Sequence, residues 1–198
     1  MTQESHFFAQ MARMSLIERW ALMRNVYKEN IAEHSLQVAM IAHMLAIIEN
    51  RKFGGNVDPK EVALAAMYHD AAEVFTGDLP TPVKYQNPRI SEEYKKLEAM
   101  AEEKLVACLP EEFRDDFAPL VESRRIDENV HRIVKDADCL CALIKCRSEL
   151  KAHNGEFANA AQRLEESISM RKKDSPAIEY FEKVFMPSFA KNLDEISI

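Results

Sequence analysis

Apolar positions recur at helical spacing along most of this chain, and no stretch alternates as a half-buried strand would. Asn30 followed by Glu33 forms a capping-box pattern and opens a helix predicted over 31–51, which "FGGN" then breaks. Asp58 as N-cap, Pro59 at the first helical position and Glu61 at the third start the next helix. It is predicted to run to about residue 74 and to stop near Gly77. The segment "DLPTPVKYQNP" carries three prolines in eleven residues and reads as a loop. Helices are predicted over 88–108, 110–121, 127–153, 156–173 and 176–194, with Pro187 kinking or splitting the last one. An earlier helix covers 5–13, followed by a short turn at 16–20. No repeat, low-complexity tract or long linker interrupts the pattern, so the expectation is one all-α domain over residues 1–198.

Composition narrows what such a domain can do. The chain has 198 residues, 47% of them hydrophobic and only 4 of them glycine, enough to bury a substantial core. A formal net charge of −7 argues against a nucleic-acid polymer as partner, because polyanion binding needs a basic footprint. It leaves room for a small anion at a local positive site. "MTQESHFFAQ" lacks the basic and apolar regions of a signal peptide. The apolar run at 38–48, broken by His43, reads as too short to span a bilayer. Four cysteines without a CxxC pair fit reduced thiols, so a cytoplasmic protein without a membrane partner is expected.

Polar residues then appear where a core is expected. His34 lies near the start of one predicted helix, and His69 and Asp70 near the end of the next. Asp138 flanks a stripe of Val134, Ala137, Cys141 and Ile144. Taken singly, a core histidine is usually hydrogen-bonded and a helical aspartate usually solvated. Two imidazoles and two carboxylates on three core helices would suit one divalent transition metal, with positions left for water and substrate. Glu73, one turn beyond His69, would share its helical face and could orient or deprotonate an attacking water. The bland alternative for Glu73 is an exposed residue near a helix end. His6, His43, His131 and His153 have no comparable company and are expected to be structural or on the surface.

The order His34, His69–Asp70, Asp138 matches the H…HD…D signature of the HD-domain metal-dependent phosphohydrolases. More narrowly, "SHFFAQMARM", "ERWALMRN", "EHSLQVAMIAH", "NRKFGGNV", "AMYHDAAEVFTGDLPTPVKY" and "PSFAKNLDEIS" resemble the bacterial HD-domain 5'-deoxynucleotidases. Those enzymes hydrolyse deoxyribonucleoside 5'-monophosphates to deoxynucleoside and phosphate. The resemblance implies a compact helical HD domain, with a metal site between core helices, a homodimer, and one divalent metal per chain such as cobalt or manganese. It implies His34, His69, Asp70 and Asp138 as ligands, with His34, Asp70 and Asp138 also against the substrate. Glu73 corresponds to the residue that works on the nucleophilic water, Arg19 to the one that orients the phosphate, and Trp20 to the one beside the sugar. The resemblance further implies that Asp78, Leu79, Pro80 and Thr81 are the loop that completes the nucleotide site, with a catalytic part for Asp78.

Elementary chemistry agrees with those roles. Phosphate monoesters resist unaided hydrolysis so strongly that accelerations up to ~10²¹ are required. A metal lowers the pKa of water, and the planar donors of Arg19 suit phosphate. Without the resemblance, Arg19 could be solvated, Trp20 could be core, and residues 78–81 could be an ordinary connection. Two competing readings are another HD phosphohydrolase, acting on a triphosphate, a cyclic dinucleotide or a guanosine alarmone, and a non-catalytic nucleotide-binding helical module. A triphosphate site would need more phosphate-facing cations than Arg19 and, as a weaker second, Lys84.

Overall fold

The helix signals are realised in a computed structural model that describes residues 4–84 and 87–197, without the side chains of Thr81 and Pro82. In chain order they are α1 Phe7–Met11, α2 Ile31–Lys52, α3 Pro59–Tyr68, α4 Glu73–Thr76, α5 Thr81–Lys84 and α6 Pro88–Ala107. There follow α7 Glu111–Val121, α8 Glu128–Lys151, α9 Ala158–Arg171, α10 Pro176–Val184 and α11 Leu193–Ile196. The described residues form no β-strand, only one antiparallel bridge between Glu18 and Asn30. Asn30 accepts the Glu33 N–H at 3.0 Å while Glu33 accepts the Asn30 N–H at 3.3 Å, so the capping box closes in both directions. Asp58 caps α3 through the Lys60 N–H at 2.9 Å.

Two apolar cores meet at the point where the chemistry lies. One is built by α2, α3, α8, α9 and α10, with Val38, Leu45, Val62, Leu140 and Ile178 at its centre. The other gathers Phe7, Leu105, Leu109 and Val121 from α1, α6, α7 and their flanks around Ala71. Ala65 and Ala66 belong to the first core and Ala71 to the second.

The helix predicted to reach residue 74 stops at Tyr68, between Ala66 in the first core and Ala71 in the second. The chain tightens instead through Ala71 N–H to the Tyr68 carbonyl at 2.9 Å and Glu73 N–H to the Asp70 carbonyl at 3.0 Å. His69 and Glu73 therefore do not share one helical face, and Glu73 opens the separate short α4.

Two other expectations are corrected, and the split expected at Pro187 is found. The proline-rich loop contains one helical turn, α5, because Pro82 falls where no N–H is required and the Pro80 carbonyl accepts from Val83 and Lys84 at 2.8 and 3.1 Å. The last predicted helix is divided twice: α10 ends at Val184, a 3₁₀ turn spans Met186–Ala190 around the donor-less Pro187, and Lys191 is extended before α11. The apolar run at 38–48 continues as helix over all of α2, which is long and apolar enough to cross a membrane by length and composition. Half of that window is buried inside the protein, against α3, α8 and α10.

Residues 17–30, which precede α2, are fixed by buried charge rather than by regular structure. Glu149 of α8, fully buried, accepts the Val26 and Tyr27 N–H groups, both at 2.9 Å. It also accepts from Lys145 Nζ and from Asn154 Nδ2, and Lys145 donates as well to the Tyr27 carbonyl. Burial works against the Glu149 carboxylate, but these donors outweigh it and hold its pKa down at about 2, against an ordinary 4.5. A pKa lowered by folding stabilises the fold fully above pH 4.5, and that contribution is lost as pH falls from about 4.5 toward 2. Glu149→Ala would leave Lys145 buried without its carboxylate and is predicted to cost about 3–5 kcal/mol in urea unfolding at neutral pH. It should also flatten the acid limb of stability. A variant within 1 kcal/mol of wild type would contradict this clamp.

Candidate active site

His34 sits one turn inside α2, just past the capping box, and is completely buried. The tight turn after α3 presents His69 and Asp70, and the middle of α8 presents Asp138. His34 Nε2 lies 3.1 Å from Asp138 Oδ1 and 3.7 Å from Asp70 Oδ2. His69 Nε2 lies 3.1 Å from the same Asp70 oxygen. His34, His69 and Asp70 each offer one ligand atom, all within 4.8 Å of one another. Asp138 joins them through His34.

The donor set fits a divalent cation. His69 Nδ1 donates to the Ala66 carbonyl at 2.7 Å, which leaves Nε2 as the free lone pair turned toward Asp70 and His34. That Nε2 is buried and makes no hydrogen bond, although a carboxylate oxygen faces it. Two imidazoles and two carboxylates converging in this way have more acceptor capacity than donors to meet it, which is the condition a metal ion resolves. Burial pushes Asp70 and Asp138 toward their neutral forms, yet the fields of His69, His34 and, for Asp138, Lys135 hold both well below the usual carboxylate range. Both side chains are therefore anionic at neutral pH.

Arg19 and Glu73 border this cluster. Arg19 is placed by the bridge that pairs residues 17–19 with 29–31: its N–H bonds the Glu29 carbonyl at 2.9 Å. Its guanidinium gives Nε to Glu29 at 3.1 Å and Nη1 to Asp70 at 3.2 Å. Glu73 has a buried carboxyl oxygen with no hydrogen-bond partner. Burial first, then the charges of Asp70 and Asp78, push its pKa up to about 9, with Arg19 and Lys84 pulling the other way. Asp78 is raised by its own burial and by Asp70, while Arg19 and the Trp20 main-chain N–H lower it. The carboxyl of Asp78 thus lies within the field of Arg19.

Trp20 adopts φ 56°, the left-handed region that a bulky residue seldom occupies. The conformation is held because its carbonyl accepts from the Met23 N–H at 2.9 Å and from Asn25 Nδ2 at 3.1 Å. Its indole packs on Phe157, centroids 5.4 Å apart, and its buried Nε1 has no partner. Strain of this kind collects where a side chain must be aimed. Leu79 is half-buried, and the Pro80 carbonyl is spent on starting α5. The side chain of Thr81 lies outside the described residues.

A family model described as 5'-deoxynucleotidase YfbR-like matches residues 6–189. The chain belongs to the YfbR-like 5'-deoxynucleotidase family. A curated 5'-deoxynucleotidase of Vibrio parahaemolyticus serotype O3:K6 is 58% identical over 98% of this chain and all of its own length. One from Cronobacter sakazakii is 57% identical over 98% of this chain and 96% of its own. Among solved structures, an HD-domain phosphohydrolase of Listeria innocua superposes with a TM-score of 0.81 at 21% identity, covering 95% of this chain and 90% of that one. The HD phosphohydrolase DatZ of cyanophage S-2L, solved with dA and one catalytic Zn²⁺, gives 0.66 at 21% identity, covering 97% and 99%. At such identity these two establish the shared all-α HD fold.

Two residues at this YfbR-like site escaped the sequence reading. Glu29 is buried against Arg19, and only its place beside the Asn30 cap hinted at it. Lys135 stands one turn before Asp138, a spacing legible on a helix. Asp138→Ala should lower metal content, measured by elemental analysis of purified protein, and abolish activity. Full occupancy in that variant would remove Asp138 from the ligand set.

Proposed function

We propose that this YfbR-like protein hydrolyses deoxyribonucleoside 5'-monophosphates to deoxynucleoside and phosphate. It does so with one divalent transition ion per chain, cobalt or manganese, held by His34, His69, Asp70 and Asp138. The observation that carries this reading is the buried meeting of those four side chains with Arg19 and Glu73 at their border. The names of the relatives at 55–58% identity give the substrate class. The reading includes a homodimer in the cytoplasm, with no nucleic-acid polymer or membrane as partner, as the net charge of −7 and the family resemblance suggest. DatZ, of the same fold, carries zinc, so zinc belongs in the metal series tested.

When bound, the cation lowers the pKa of water and draws charge from a phosphate oxygen. Arg19 is pinned by Glu29 and Asp70, so its remaining donors are preset to meet the phosphoryl oxygens and the charge that grows on them. Burial and the charges of Asp70 and Asp78 hold Glu73 protonated near pH 7. A cation bound beside Asp70 would offset that charge and let Glu73 ionise, and as the carboxylate it takes the proton of the attacking water as the new P–O bond forms. The P–O bond to the 5' oxygen breaks, and that oxygen takes up a proton from solvent, to which Glu73 returns the one it accepted. Asp78 and residues 79–81 close the nucleotide end of the site, and Trp20 packs beside the sugar.

A panel of mono- and triphosphates, cyclic dinucleotides and guanosine alarmones, assayed with Co²⁺, Mn²⁺ and Zn²⁺, tests the reading. Phosphate release from deoxynucleoside monophosphates that chelator abolishes is expected. Release of pyrophosphate or triphosphate instead would assign another HD activity, and metal-independent binding without turnover a non-catalytic module.

Glu73→Ala should keep its metal and still bind nucleotide, yet lose turnover by ~10²-fold or more. Near wild-type kcat in that variant would take proton transfer away from Glu73. Trp20→Ala should narrow the preference for deoxy- over ribonucleotide, chiefly by admitting the ribonucleotide. An unpaired 2'-hydroxyl against a rigid indole costs ~1–3 kcal/mol, or roughly ten- to hundredfold in kcat/KM. An unchanged ratio for a matched pair would return Trp20 to a packing role.

A further inference from the structure

Trp20 is held in a conformation that packing alone does not require. Its backbone stands at φ 56°, and its indole Nε1 is buried without a partner, so both backbone and side chain carry a cost. No glycine relieves the turn, since residues 20–23 read Trp, Ala, Leu, Met. The turn closes through a single backbone bond, from the Met23 N–H to the Trp20 carbonyl at 2.9 Å. One such bond is a modest hold on a strained residue, and such residues persist only where their surroundings over-determine them.

Asn25 supplies the further hold. Its Nδ2 donates to the Trp20 carbonyl at 3.1 Å and to the Met23 carbonyl at 3.0 Å, and so spans both ends of the turn. With two carbonyl oxygens to meet, only the nitrogen of the amide can face them. The other amide atom, Oδ1, is buried and has no partner. Leaving that acceptor unmet costs stability, so the residue is explained by what its nitrogen holds. Asn25 is itself fixed from α8. The next two N–H groups, of Val26 and Tyr27, are bound by the buried Glu149, and the preceding Arg24 carbonyl accepts from Asn154 Nδ2 at 2.6 Å. Arg19 is supported separately, by the Glu29 carbonyl and by the carboxylates of Glu29 and Asp70.

We propose that Asn25 is a positioning residue for sugar selectivity: it holds the Trp20 turn and so aims the indole that distinguishes deoxyribose from ribose. The inference rests on the reading above that sets Trp20 beside the sugar. Asn25 acts only through Trp20 and leaves the phosphate end of the site to Arg19.

The test compares kcat/KM for a matched deoxy- and ribonucleoside monophosphate in metal-loaded wild type, Asn25→Ala, Asn25→Gln, Trp20→Ala and the Asn25→Ala/Trp20→Ala double variant. Asn25→Ala should narrow the deoxy-to-ribo ratio by about three- to tenfold, the worth of the side-chain bonds it removes. Added to Trp20→Ala it should change the ratio no further, because both act through one indole. Asn25→Gln, which keeps the amide donors, should recover part of the loss. The Ki of inorganic phosphate should hold at its wild-type value, since Arg19 has its own supports. Trp20 is the only tryptophan, so its emission reports the indole directly. Asn25→Ala should shift that emission to the red and make it easier to quench with acrylamide. Should Asn25→Ala not fold, Asn25→Ser, with one hydroxyl donor for two carbonyls, carries the same comparison. An unchanged ratio, an unchanged Trp20 emission or additive effects in the double variant overturn the proposal. So does a parallel loss of phosphate affinity, since Asn25 would then only brace residues 17–30 as a whole. If wild type releases no phosphate from any deoxynucleoside monophosphate, the functional reading fails instead. Calorimetric titration of the same nucleotide pair into metal-loaded wild type and Asn25→Ala then still decides the role of Asn25.

Discussion

The convergence of Asp70 and Asp138 on a single buried imidazole nitrogen, His34 Nε2, is the constraint from which the rest of this structure follows. Two carboxylates brought together away from water repel one another and lose solvation. The fold has to hold them there against that cost, and each neighbouring element contributes to doing so. The capping box starts α2 one turn before His34. Helix α3 gives way at Tyr68 to a turn whose own backbone bonds fix His69 and Asp70. The Ala66 carbonyl chooses the tautomer of His69.

The same repulsion governs the outer residues. Arg19 is drawn against Asp70, and it can stay there only because residues 17–30, which have little regular structure, are tied down elsewhere. Glu149 and Lys145 of α8 provide that tie from a position fully or nearly buried. Helix α8 thus carries Asp138 on one turn and, further along, the anchor for the segment that bears Arg19 and Trp20. A change in α8 would be felt on both sides of the site. This gives a physical reason for the left-handed Trp20 backbone: the segment is over-determined by its anchors, so one strained residue can persist within it.

Much of this was legible in the residues, because most of it is local. Helix starts such as Asn30–Glu33 and Asp58–Pro59 are decided by neighbours in sequence, and the structure has them where capping chemistry puts them. The family, the all-α fold and the phosphohydrolase class followed from ordered motifs, and the comparisons bear them out. What the sequence hid is non-local. No capping signal marks the break at Tyr68, beyond which Ala71 joins a core made by α6 and α7, far along the chain. The Glu149 clamp joins residues 122 and 123 positions apart, and no periodicity announces it. Glu29 and Lys135 looked like ordinary charges until the fold set each beside Arg19 or Asp138. The roles of Leu79, Pro80 and Thr81 rest on the resemblance.

The central claim is that one divalent cation belongs among His34, His69, Asp70 and Asp138. Crystals grown with Mn²⁺ and measured by anomalous scattering at the manganese edge test it without reference to activity. A single strong peak per chain, within bonding distance of both imidazoles and both carboxylates, is the predicted result. An empty cluster at full Mn²⁺ loading, or a peak bound elsewhere on the chain, would contradict the account.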